Sequence, residues 1–279
     1  MSYKSLLTVL TDTDFAETTL KQAAAFARAQ NAHLDVLCLG LDRSQTGYYY
    51  AGATALVVEQ SLNVAREEVG KIEALAEAFL KKTETRWGIE TGISPVSDLT
   101  RHVAARARFA DLTMLSKPYG PDHGFEMEST VEAALFEAQA PVLVLPDQAE
   151  PVVAPKTITI AWNESPEALR AVRAALPLLR AAELVRVVVI DPPSHGPNRS
   201  DPGGLLSQFL ARHGVRVEVD VMAKSLPRIS DVLLRHANDN DVDLIVMGAY
   251  GHSRFRESIL GGATRHMLEQ SEVPIFMAH

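Results

Sequence analysis

Residues Val246–Leu268, VMGAYGHSRFRESILGGATRHML, decide how this chain is read. A short apolar strand meets Gly248 and Gly251, then a loop carrying His252, Arg254 and Arg256, then the pair Gly261–Gly262 and a helical stretch containing Arg265. At the end of a strand, Gly248 and Gly251 are expected to let the backbone approach a ligand and take positive φ without a Cβ clash. Gly261 and Gly262 would bring the free amides of the next helix onto an anion, helped by the positive helix end. The spacing is neither G-x-x-x-x-G-K-[ST] nor G-x-G-x-x-G. Strand-to-helix turns also use glycine for steric reasons alone, so the loop by itself leaves a phosphate cradle and a tight turn both open.

Working outward, the stretch belongs to a repeat. LLTVLTDTDFAETTLKQAAAFA from Leu6 resembles TITIAWNESPEALRAVRAALPLL from Thr157, and DLTMLSKP at Asp111 resembles DLIVMGAY at Asp243. LFEAQAPVLVLP, ending at Pro146, resembles MLEQSEVPIFMAH at the C-terminus. Three matches in one order mean two copies of one unit. The proline-rich PDQAEPVVAPK supplies a linker, giving domains 1–147 and 157–279 around residues 148–156.

Each copy alternates strand and helix. In the second, Ile158–Trp162 reads as a strand, and Pro166–Arg180 as a helix with Ser165 at the N-cap and Pro166 at N1. Leu184–Ile190 is a run of β-branched residues of the kind buried on both faces. Helices near Leu205–His213, Arg228–Ala237 and Ala263–Gln270 separate strands at Val215–Met222, Leu244–Met247 and Ile275–Met277, the last expected at an edge behind Pro274. This order predicts parallel βαβ units: an α/β chain of two tandem, open five-stranded parallel sheets with helices on both faces. The first copy adds SQTGYYYAGATALVVEQ and a long amphipathic helix, roughly Ala55–Lys82. Tyr48–Tyr50 in that insertion read as a cover over core rather than as a pocket wall.

The bulk numbers exclude several classes. With 279 residues, 47% apolar and 22% charged, the chain has ample core for two domains. A net charge of −8 argues against general binding to nucleic acid or anionic lipid. The single cysteine, Cys38 in HLDVLCLG, reads as a buried strand thiol and fits a reducing cytoplasm. No apolar run approaches the length of a membrane span, and the N-terminus turns polar too soon for a signal peptide. His252, His266 and His279 show no metal-ligand pattern, and read as solvated or helix-end side chains. Glu68, Glu73 and Glu77 form a solvated helix face. Paired carboxylates for acid–base chemistry are not evident.

Gly248, two residues, Gly251, nine residues, Gly261 resembles the G-x2-G-x9-G-[ST] signature of the universal stress protein family, and the repeat is similar to its tandem members. The resemblance implies a Rossmann-like, adenine nucleotide alpha hydrolase-like fold in each half, with ATP or another adenine nucleotide, with or without magnesium, at the end of the fourth strand. It implies Asn163, Val189, Gly248, Gly251, Gly261, Gly262, Ala263 and Thr264 as nucleotide-binding residues, with His252 and Arg254 neutralising phosphate. Two departures stand out: Gly262 replaces the hydroxyl expected after the third glycine, and Asn163 replaces the acid expected after the first strand. The first half departs in the opposite way. Asp14 matches the acidic position, but LSKPYGPDHGFEMESTVEAAL has lost the glycine series, with Ser116 for the first glycine, Pro118 stiffening the turn, and Glu126 and Glu128 set against phosphate. Neither half holds a complete site, and the second is the one expected to bind.

The resemblance also implies an internal pseudo-dimer through the two last strands, with a further homodimer and unknown protein partners left open. It implies a regulatory, stress-response role without a catalytic residue, slow ATP hydrolysis remaining the enzymatic option. The alternative is an adaptor of the same fold that binds proteins and no nucleotide.

Overall fold

The computed structural model describes residues 2–44, 51–147, 150–192, 201–249 and 262–279, the side chains of 51–55 and 57 excepted. Tyr48–Tyr50, Gly251, His252, Arg254, Arg256 and Gly261 therefore lie outside the described residues. The chain forms two compact units, Tyr3–Ala140 and Pro141–His279.

The first unit runs β1 (Ser5–Leu10), α1 (Ala16–Gln30), β2 (His33–Asp42), α2 (Ala51–Leu80), β3 (Arg86–Pro95), α3 (Leu99–Ala107), β4 (Leu112–Ser116) and α4 (Phe125–Glu132), the last continuing into a π-helical turn at Ala133–Glu137. Its strands lie in the order β3-β2-β1-β4 with parallel pairing. Asn31 ends α1 in the left-handed conformation (φ 50°), which lets its own N–H and that of Ala32 reach back to Arg28 and Ala27 carbonyls. The long inserted helix is α2. Ala65, Ile72, Ala76 and Leu80 are buried along it, the apolar stripe that its sequence period called for.

The second unit begins with β5 (Val142–Leu145) and continues β6 (Thr157–Ala161), α5 (Pro166–Ala181), β7 (Leu184–Ile190), α6 (Gly204–Arg212), β8 (Val217–Met222), α7 (Ile229–Asp239), β9 (Leu244–Gly248), α8 (Gly262–Gln270) and β10 (Ile275–Ala278). Strand order is β5-β10-β9-β6-β7-β8. Ser165 caps α5 by accepting from the Ala168 N–H at 3.1 Å, and Pro166 fills the first turn where no donor is missed. Three valines of β7, Val185, Val187 and Val188, are wholly or almost wholly buried.

One expectation is overturned. β10 is not an edge strand: it pairs parallel with β9 on one side and antiparallel with β5 on the other. Pro274 does not disqualify it, because the Pro274 carbonyl accepts from the Ile245 N–H (3.1 Å) and the missing donor lies ahead of the strand. The antiparallel partner is also why the compact units divide after Ala140, ahead of β5, whereas the proline-rich linker follows it.

Cys38 is fully buried in β2, where burial pushes its thiol up to about 12, with the charge of Glu73 adding to the effect. The folded protein at pH 8 is therefore expected to resist thiol-labelling reagents that react within minutes once denaturant is added. Rapid labelling of the native protein would contradict this burial.

Candidate nucleotide site

The second unit's site is built by register. Asp243, just ahead of β9, accepts from the backbone N–H groups of Lys156 (2.7 Å) and Thr157 (2.9 Å) at the start of β6. With the strands pinned at that end, Val188, Ala161 and Met247 fall in one row across β7, β6 and β9. The next residues, Val189, Trp162 and Gly248, form the rim of the sheet. Connections from β6 run outward through β7 and β8 and then return to β9 on its other side, so the strand order reverses between β6 and β9. A crevice beyond the carboxyl ends of such strands is where open α/β sheets take ligands.

The candidate residues come to this rim in different ways. The Asn163 Oδ1 accepts from the Ser165 N–H (3.2 Å), closing the turn from β6 into α5, and the residue is exposed. Val189 is buried, and its side chain packs beneath Gly203, the left-handed N-cap of α6 (φ 85°). Gly262 and Ala263 are exposed in the first turn of α8, and Thr264 is buried. Among the described residues, a Cβ on Gly262 would meet nothing within 4 Å.

Gly248 needs a correction. Its φ is not positive; it is glycine because α5 starts directly on top of it, a Cβ there lying 2.5 Å from the Ala168 nitrogen and 2.8 Å from the Glu167 carbonyl carbon. Two of the histidines, His266 and His279, have structural partners. His279 Nδ1 lies 2.9 Å from the Ala249 carbonyl and tethers the chain as it leaves β9, while half-buried His266 sits 3.5 Å from Asp231 on α7. Arg265 pairs with Glu269 along α8 (2.8 Å).

Beside the rim, a cavity of about 530 Å³ opens between α5 and α6. Trp162, Pro166, Leu169, Leu206 and Phe209 give it apolar walls, and Arg173 lies with its guanidinium 6.0 Å from the Phe209 ring. Trp162 belongs to both rim and cavity. Sequence reasoning passed over it because a lone tryptophan after a strand carries no motif. Among the described residues no group of three or more His, Cys, Asp or Glu side chains is placed to hold a metal ion.

Comparison with known proteins bears on the family and the fold. The Universal stress protein family pattern matches residues 155–279. Residues 155–279 belong to the universal stress protein family. Universal stress protein Slr1230 of Synechocystis is 26% identical over 91 residues, an alignment spanning about a third of each chain. A universal stress protein of Archaeoglobus fulgidus superposes with a TM-score of 0.71 at 14% identity, covering 98% of this chain and 96% of its own. A putative universal stress protein of Pseudomonas aeruginosa gives 0.59 at 15% identity, covering 99% and 93%. At such identities the structural likeness concerns the fold, and it extends over both halves.

The first half has the same fold with different chemistry at the corresponding rim. Asp111 repeats the clamp, accepting from Lys4 (2.7 Å) and Ser5 (3.1 Å) at the start of β1. The residue that shares Asn163's role is Asp12, not Asp14. Its Oδ1 accepts from the N–H groups of Asp14 (2.9 Å) and Phe15 (3.1 Å), the latter just ahead of α1, while Asp14 itself is exposed. Burial raises the Asp12 pKa, the two backbone donors oppose that, and the charges of Asp14 and Glu126 add to the rise. Farther along α4, the Glu128 carboxylate accepts from the Tyr119 hydroxyl (2.7 Å), and Glu132 is raised to about 7 by burial first and the Glu128 charge second.

Two outcomes are expected. Gly248→Ala forces α5 off the end of β9 and lowers stability by about 1–3 kcal/mol in a urea titration, the usual cost of overpacking. Glu132 lies above its unfolded value in the folded state, so its contribution favours folding below pH 4.5 and is lost as pH rises through 7. Glu132→Gln is therefore expected to flatten stability across that window and to be the more stable protein at pH 8.

Proposed function

We propose that the second half of this chain binds one adenine nucleotide, ATP or a relative, and acts as a regulatory universal stress protein without efficient turnover. The observation that carries this reading is the rim itself: Trp162, Asn163, Val189 and Gly248 lie together at the point where strand order reverses, and exposed Asn163 has amide donors suited to a ribose or base. The first turn of α8 offers backbone donors to phosphate at Gly262 and Ala263. Gly251, Gly261, His252 and Arg254 complete the phosphate end on the strength of the family signature. The base lies against Trp162 at the mouth of the α5–α6 cavity, which has the apolar walls and size of a small-molecule site.

Turnover is not expected. Phosphoryl transfer needs a held metal or an oriented water, and Asn163 brings no charge where the family's acid would stand. If magnesium accompanies the nucleotide, the phosphates themselves supply its ligands. No helix among the described residues is long and apolar enough to cross a membrane, and we place the protein in the cytoplasm, its protein partners reached through the nucleotide-dependent surface of the second half.

The test begins with mass spectrometry of any small molecule released on denaturing the purified protein, followed by calorimetric titration of ATP and AMP with and without magnesium. The expected result is one adenine nucleotide per chain, quenching of Trp162 fluorescence in a Trp87→Phe background, and loss of binding in Gly251→Val or Gly261→Val. Gly262→Ser, whose Cβ meets no atom of the described residues within 4 Å, restores the missing hydroxyl and is expected to tighten binding about tenfold, as a hydrogen bond to a charged group does. An empty protein that gives no heat at millimolar ATP would sink the reading and leave the adaptor role in its place.

A further inference from the structure

In the first half, the glycines of the segment between β4 and α4 make room for the chain's own side chains. Gly124 is the N-cap of α4, with φ −76°, so its conformation does not demand glycine. Space does: a Cβ there would stand 2.5 Å from the carboxyl carbon and Oε2 of Glu126. The Glu126 side chain has folded back over the helix N-terminus, where it is only 7% exposed, and the Arg43 guanidinium at the end of β2 holds its Oε1 at 2.9 Å. Its Oε2 is buried with no hydrogen-bond partner among the described residues. Nearby, Gly120 leaves room for the His123 ring, which packs on Phe15 at 4.2 Å and so joins the β4–α4 segment to the turn after β1. These are the two strands between which the order of this unit reverses.

We infer that the first half is closed from within: the Glu126 carboxylate, held by Arg43 over the N-terminus of α4, stands in the place of a ligand's anionic group. A buried carboxylate with one bare oxygen is costly unless something compensates it. Here the compensation is a helix N-terminus and an arginine, the pair that would otherwise receive phosphate. A phosphate brought to this rim would meet Glu126 and then Asp12. Sequence alone suggested repulsion by two acidic residues, whereas the structure gives them separate roles. Glu126 fills the site, and Glu128 is turned aside to Tyr119.

This inference does not depend on the second half binding nucleotide, and its test keeps the two apart. The full chain carrying Gly251→Val, which silences the second half as proposed, is titrated with inorganic pyrophosphate and with ATP by calorimetry. Adding Glu126→Ala is expected to create a pyrophosphate site at least about tenfold tighter than the parent's, the scale of one charge-assisted hydrogen bond. Adding Arg43→Ala as well abolishes it. Equal affinity with and without Glu126 in a chain that stays folded would overturn the inference. Thermal unfolding supplies an independent reading. Arg43→Ala alone strands the buried carboxylate and lowers the melting temperature, and Glu126→Gln on top of it restores the loss. A melting temperature that Arg43→Ala leaves unmoved would equally overturn it.

Discussion

A single carboxylate at the bottom of each sheet sets what happens at the top. Asp111 and Asp243 each sit one residue ahead of the fourth strand of their half and accept two backbone N–H groups from the start of the first strand. Parallel strands have no hairpin to fix their register, so this clamp, together with side chains buried on both faces, decides which residues meet across the sheet. Slipping β9 by one residue against β6 would turn Ile245 and Val246 to the wrong faces and carry Gly248 out from under α5. The rim on which Trp162, Asn163 and Gly248 converge therefore depends on a pair of hydrogen bonds made at the opposite end of the strands.

Steric economy at glycine then separates the halves. Gly248 yields its side chain to the backbone of α5, which lets the first and fourth strands end close together under a helix start. Gly120 and Gly124 yield theirs to His123 and Glu126, side chains of their own loop. Gly262 yields to nothing in the described structure. Of these glycines, the first serves the fold, the next two let the chain fill its own crevice, and the last meets no described neighbour at the N-terminus of α8. A motif scan sees glycine in each place and cannot distinguish them, because what matters is which atoms stand where the missing Cβ would be.

The α/β alternation and the repeat were legible in the sequence, since both rest on local signals. The β-branched run of β7, the Ser165–Pro166 cap and the paired Asp111 and Asp243 stretches each announce an element or its start. The position of β10 was not legible. Whether IFMA ends a sheet or lies inside one depends on β5, a strand about 130 residues earlier that no local pattern links to it. The same limit applied at the site. Asp14 looked like the acid after the first strand because it sits in an aspartate-rich turn, but only hydrogen-bond geometry identifies Asp12 as the residue that closes it. Trp162 had no pattern to be found by, and the role of Glu126 required knowing that its side chain turns back on its own helix.

The two halves then answer one electrostatic problem in opposite senses. A helix N-terminus aimed at a crevice attracts negative charge. In the first half that charge is built in: Glu126 covers the start of α4, Arg43 completes the pair, and Asp12 keeps its carboxylate in the turn below. In the second half the corresponding turn carries the neutral Asn163, and no described atom stands within 4 Å of where a Gly262 Cβ would be. Replacing the acid by asparagine removes a metal-binding charge, but it also removes a repulsion that a polyphosphate without its metal would meet at the rim. The same substitution that thins the family signature thus lowers the cost an anion would meet at that rim, and the two halves differ there by the placement of two carboxylates.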